Sequence, residues 1–141
     1  INVTATANTA SDDGGAILNM GTSSVQVNNS ILWGNGSEVV NRDDASATIG
    51  HSCVDGGAVG EGNIDADPRF VAAVAGGADG DLHLQSDSPA IDAGDNGMLP
   101  DSHGAVDLDG SSRLVDVTTV IDSGPGMAPV VDMGAYERQG E

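Results

Sequence analysis

An internal repeat of 22 residues constrains this chain more than any other feature. Ala16-Ile17-Leu18-Asn19 aligns with Glu38-Val39-Val40-Asn41, and Val25-Gln26-Val27 with Ala47-Thr48-Ile49. Ser30-Ile31-Leu32 meets Ser52-Cys53-Val54, and Gly34 meets Gly56, in the same step. Carried backwards, the step sets Val3 and Ala5 on Val25 and Val27. Each run is short and alternates, with Val25 and Val27 on one side and Gln26 on the other, which is the period of a strand. Breaks rich in Gly, Asn and Asp separate the runs: Asp12-Asp13-Gly14-Gly15, Gly34-Asn35-Gly36 and Asp43-Asp44. A unit of this size cannot bury its own apolar face. Successive units must stack, each run pairing in parallel with its equivalent. Residues 1–57 are therefore expected to form solenoid coils of about 22 residues. Asn19 above Asn41 reads equally as a buried amide ladder or as two turn asparagines at equivalent bends.

The composition fits thin, repeated layers. Trp33, Phe70 and Tyr136 are the only aromatics, and 21 of the 141 residues are glycine. The apolar set is mostly Val, Ile, Leu and Ala, and its regular spacing argues against disorder. The formal net charge is −18, with no lysine and four arginines. Such a chain repels nucleic acid and anionic lipid but attracts divalent cations. Solubility in salty water explains the charge equally well. Cys53 is the single cysteine, so no internal disulfide can form. No apolar run approaches the ~20 residues of a membrane span, so no membrane insertion is expected. Starting at Ile1 without a signal peptide, the sequence reads as a processed product or an excerpt.

After Gly57 the period is lost. Residues 58–141 hold short apolar runs at 82–84, 115–120 and 130–133 among Gly, Asp and Pro, with no helical stripe. This half is expected to be an irregular, loop-rich cap that closes the C-terminal end of one continuous domain.

Several segments resemble a known family. Asp12-Asp13-Gly14-Gly15-Ala16-Ile17, Asn29-Ser30-Ile31-Leu32-Trp33-Gly34-Asn35 and Ser52-Cys53-Val54 are similar to coils of bacterial right-handed β-helix surface proteins. The second half resembles the choice-of-anchor Q domain. Its landmarks are Gly62-Asn63-Ile64-Asp65-Ala66-Asp67-Pro68, Ser88-Pro89-Ala90-Ile91-Asp92-Ala93-Gly94, Asp107-Leu108-Asp109-Gly110 and Val131-Asp132-Met133-Gly134-Ala135-Tyr136-Glu137. The resemblance implies an all-β, right-handed parallel β-helix, secreted or on the cell surface and related in fold to pectate lyases, without naming one activity. It also implies long parent proteins with a variable anchoring segment, whereas few coils precede the module here.

Calcium is the expected cofactor, because it takes six to eight oxygen ligands on tight acidic loops. Asp107-x-Asp109-Gly110, with Asp95, Asn96 and Asp101 within reach, is the first candidate. Asp65-x-Asp67 and Asp79-x-Asp81 are the others. The competing reading is that these aspartates cap turns. Arg113 and Arg69 follow Asp-rich turns and are expected to lock them by ion pairs. His51, His83 and His103 match no local ligand spacing, and His51 and His83 are expected to face solvent. Cys53 reads as a small core hydrophobe. Lyase chemistry needs a base and cationic groups for an acidic sugar, and the chain is poor in both. A non-enzymatic structural protein is therefore expected. The rivals are a carbohydrate-binding adhesion module using Trp33 and Tyr136, and a remnant polysaccharide lyase. Ile1, Val3 and Ala5 are expected to form an uncovered apolar edge that recruits further copies of the chain, or other surface components, head to tail into a filament.

Overall fold

The computed structural model describes residues 1–72, 80–100 and 106–140. It is all β, and the only helix among the described residues is a 3-10 turn at Asn96–Met98. Seven short strands make three parallel stacks. β1 (Thr4–Thr6), β4 (Ile31–Trp33) and β7 (Cys53–Val54) form one. β2 (Ile17–Asn19) with β5 (Val39–Asn41), and β3 (Ser24–Asn28) with β6 (Ser46–Gly50), form the other two. Three of the four pairings keep the step of 22 residues: Ile17↔Val39, Val25↔Ala47 and Ile31↔Cys53. Val27 is buried and Gln26 exposed, as the alternation requires. Asn19 and Asn41 are bonded, Asn19 Nδ2 donating to Asn41 Oδ1 at 3.0 Å and to Ser46 O at 2.7 Å, but of the two Asn19 alone is buried and Asn41 is exposed.

The corners repeat as faithfully as the strands. Asn2, Asn29 and His51 share a left-handed backbone at equivalent places, and so do Ala7, Gly34 and Gly56. Gly14 pairs with Gly36 in this respect, and Gly21 with Asp43. Asn, Asp and Gly dominate because few other residues tolerate positive φ cheaply.

The first layer differs from expectation. β1 pairs with β4, not with β3, through Thr4↔Ile31 and Ala5↔Leu32, a step of 27 residues. Ala5 therefore lies under Leu32 and Val3 under Ser30, not under Val27 and Val25. The cause is local. Ala7 to Gly14 spans seven positions, whereas the equivalent Gly34 to Gly36 spans two. The five additional residues move β1 along by five. Asn35 clasps this longer segment, accepting from Asn8 N at 2.9 Å and donating to Ala5 O at 2.8 Å. Ile1 and Val3 are half exposed and Ala5 is half-buried.

Two apolar cores share the β1–β4–β7 stack. Leu32 and Val54 point to one side, among Val27 and Ile49, with Ala5, Ile17 and Val39 packed against them. Ile31 and Cys53 point to the other, against Phe70, Leu84, Ile91, Val117 and Met133. A parallel sheet covered on both faces has continuous rather than alternating apolar runs, and Ile31-Leu32 and Cys53-Val54 are such runs. The second half therefore lies along an outer face of the stacked strands. Residues near 58–64 cover their end: Glu61 O accepts from His51 N at 2.8 Å, and Ile64 pairs with Cys53. β8 (Phe70–Ala72) and β9 (Asp81–Leu84) form an antiparallel pair in this half. The rest is turns held by specific bonds.

Candidate functional site

The aspartates picked out by local spacing mostly hold turns. Asp107 is buried, and its Oδ1 accepts from Asp109 N at 2.9 Å and Ser111 N at 2.8 Å. Its Oδ2 accepts from Glu137 N at 3.1 Å. Asp109 turns away and meets His83 Nε2 at 2.8 Å. Asp95 caps the 3-10 turn through Gly97 N, Asp65 accepts from Gly56 N, and Asp67 accepts from Arg69 N. A carboxylate oxygen that holds a backbone N–H is less available to a cation; turn capping accounts for Asp107, Asp95 and Asp67, while Asp65 ties Gly56 from nine positions away and Asp109 pairs with His83. Asp101, Asp79 and His103 lie outside the described residues.

His83 sits between Asp81 and Asp109, with its ring 4.2 Å from that of Tyr136. Burial opposes its charged form, but bonds to the two carboxylates outweigh this and raise its pKa. It is a clasp from β9 to the 107–111 turn. His51 packs against Gly62. Cys53 is fully buried and its thiol is pushed up to about 12 by desolvation, which fits its reading as a small core hydrophobe. Every arginine has protein partners. Arg42 pairs with Asp13, and Arg69 with Asp87. Arg113 donates to Gly134 O and Ala135 O, and Arg138 to Leu84 O. The expected ion pair thus exists for Arg69, while Arg113 is held mainly by main-chain carbonyls. Trp33 packs against the second core.

Spacing did not single out the centre of the second half, a network of buried acids. Asp92, Asp132 and Glu137 are at most 1 % exposed, beside buried Asp107 and Arg113. Asp132 Oδ1 accepts from Asp92 N at 2.8 Å, and its Oδ2 from Arg138 N at 2.7 Å. Glu137 Oε2 accepts from Asp132 N at 3.0 Å. Burial first, and then the charge of Asp132, push the Glu137 carboxyl up to about 9. Burial likewise raises Asp132. One positive charge, Arg113, stands among these acids, so a proton on Glu137 replaces a missing cation.

This has a consequence for stability. Glu137 binds its proton more tightly folded, at about 9, than unfolded, at the ordinary 4.5. Its stabilisation is therefore complete below about 4.5 and is lost as pH rises through about 9. The chain is expected to melt higher at pH 6 than at pH 9.5, with Glu137→Gln removing most of the difference. Thermal unfolding followed by circular dichroism checks this. Equal melting temperatures at the two pH values, or an unchanged slope in Glu137→Gln, would contradict it.

A second acidic group adjoins the first. Asp92 has one carboxylate oxygen within 4.8 Å of oxygens from Asp116 and Asp122, which are exposed. It is the only such group of three among the described residues. The main chain fixes it: Asp92 O accepts from Ser123 N at 2.9 Å and Gly124 N at 3.1 Å, which sets Asp122 beside Asp92. The signal available in the sequence was an acid inside an apolar run, Ala90-Ile91-Asp92-Ala93, repeated in Val130-Val131-Asp132-Met133.

No family model matches the chain, and no curated protein or solved structure matches it.

Proposed function

We propose that the chain is a non-enzymatic, extracellular structural module, a right-handed parallel β-helix that stacks head to tail with copies of itself. The observation that carries this reading is the free edge left on the outermost strands of the parallel stack among the described residues. At one end, among the described residues, β1, β2 and β3 each pair on one side only. Exposed Ile1 and Val3 stand beside them. At the other end, among the described residues, β5 pairs on one side only while the 61–63 segment bonds the end of β6, beside an open cavity of about 330 Å³ lined by Val39, Ile49 and Val54 together with Glu38, Asn41 and Asp55. Open strand edges with apolar surroundings recruit further strands, and a head-to-tail contact that does not close gives a filament. The resemblance to bacterial surface β-helices and the acidic composition support an extracellular setting.

Two observations favour this reading over its rivals. A carbohydrate-binding face needs free aromatic platforms, but Trp33 packs into a core and Tyr136 against His83. A lyase for acidic sugars needs free cationic groups, and the four arginines are engaged. The test is mass against concentration by light scattering in 0.15 M salt. Growth of the particle with concentration is expected, and Ile1→Ser with Val3→Asp should suppress it without lowering the melting temperature. A sharply monomeric species at high concentration would refute the stacking.

A further inference from the structure

Asp92 is an anomaly in a chain whose other buried acids mostly accept hydrogen bonds. It is fully buried, yet neither carboxylate oxygen has a well-formed hydrogen bond among the described residues; the Val117 main chain lies close enough to favour its charge without meeting bonding geometry. An unpaired buried carboxylate is costly, and native structures rarely leave one without a compensating partner. The main chain gives it no freedom to escape. Its N–H is held by Asp132 and its carbonyl by Ser123 and Gly124. The surroundings increase the cost, because Asp116 and Asp122 bring two more carboxylates against it. No lysine exists to neutralise them, and all four arginines are bonded elsewhere.

What would satisfy such a group is a small, hard cation. Two oxygens each bound at about 2.4 Å to one calcium ion lie at most about 4.8 Å apart. The three carboxylates meet that limit together. The donor set is all oxygen, with no imidazole or thiolate, which suits calcium and disfavours zinc or copper. Two ligands are exposed, so an ion can enter and solvent can complete its shell.

We propose that Asp92, Asp116 and Asp122 form a calcium site that clamps the 115–124 segment onto the buried 88–94 segment. The site lies in the second half and stands independently of the stacking of copies. It moves the expected calcium away from the Asp107–Asp109 turn, whose carboxylates already hold backbone amides and His83. The role is a lock. The 115–124 segment has no regular hydrogen-bonded structure of its own among the described residues, and the ion ties its two acids to the core.

Calorimetric titration of the intact chain with calcium chloride tests this, in 0.15 M sodium chloride to screen diffuse attraction to the acidic surface. One saturable site is expected, with a rise in melting temperature of about 5 °C at a hundredfold excess of calcium over the dissociation constant. Asp122→Asn and Asp116→Asn are exposed changes that leave the fold intact, and each should weaken binding about tenfold or more. Asp92→Asn should abolish the saturable site while melting no lower than the unaltered chain in chelator. Asp109→Asn should bind calcium as before. The proposal is overturned if no saturable site is found, if Asp116→Asn and Asp122→Asn bind like the unaltered chain, or if Asp109→Asn loses the site instead.

Discussion

Arg113→Met is expected to destabilise the chain by about 3–5 kcal/mol, the range for removing one partner from a buried charged network. For a domain of this size that is a fall in melting temperature of roughly 10 °C. Arg113 is 5 % exposed and stands among Asp107, Asp132 and Glu137. Its guanidinium also donates to Gly134 O at 3.0 Å and to Ala135 O. Methionine fills much of the same volume, so the loss is electrostatic and hydrogen-bonding rather than a cavity. Two main-chain carbonyls lose a charged donor, and the acids lose their only buried cation. Arg69→Met supplies the contrast. Its pair with Asp87 is half exposed, and such pairs contribute about 1 kcal/mol or less. Urea denaturation of both variants decides the matter. If Arg113→Met costs no more than Arg69→Met, the acid network is not what holds the second half together.

The repeat was legible because stacked strands must place like residues at like positions. Ile17 over Val39, Val25 over Ala47 and Asn19 over Asn41 follow from that necessity alone. The first layer was misread because alternation does not fix register when the insertion lies between strands. Thr4-Ala5-Thr6 alternates as well under Leu32 as Val3-Thr4-Ala5 does under Val27. A better signal was present. Asn2 and Asn29 stand 27 apart, as do Asn8 and Asn35, and the second pair is directly bonded. Asn2 and Asn29 mark the layers because few residues tolerate their left-handed turn, and Asn8 and Asn35 because the side chain of one bonds the other.

The side-on packing of the second half was written in Ile31-Leu32 and Cys53-Val54, where two adjacent apolar residues imply two covered faces. The acid centre was harder. Asp92 is 24 residues from Asp116 and 30 from Asp122 in the chain, and no local spacing rule joins them. Motifs of the Asp-x-Asp kind detect turns first, because an aspartate two residues before an N–H captures it whether or not an ion is near. Asp107 and Asp67 each capture the N–H two residues on, whereas Asp65 accepts from Gly56 N, nine residues earlier.

Asn29→Ala is the other change of large expected effect, because one side chain joins the two halves. Asn29 is fully buried. Its Nδ2 donates to Asp95 O at 3.0 Å, and its Oδ1 accepts from Asp95 N at 2.7 Å. The carboxamide thus satisfies both backbone groups of a residue 66 positions away. Its own carbonyl accepts from Gly134 N at 2.8 Å, beside the point where Ala135 N donates to Thr4 Oγ1. Alanine leaves the Asp95 N–H and C=O without these partners, at about 1–3 kcal/mol each. It also sits poorly at φ 49°, which costs a further ~1 kcal/mol. A loss of about 3–5 kcal/mol is expected. Asn29→Gly separates the two contributions, since glycine accepts the backbone but makes neither bond, and should recover about 1 kcal/mol relative to alanine. Asn29→Asp keeps the acceptor but turns a buried negative charge toward Asp95 O, and should be no better than alanine. Asn2→Ala is the control. Asn2 has the same left-handed backbone one layer earlier but its buried Nδ2 has no partner among the described residues, so its replacement should cost at most the conformational part. Should Asn2→Ala and Asn29→Ala prove equally costly in equilibrium unfolding, the asparagine corner serves the stack alone, and the second half is held by its apolar core.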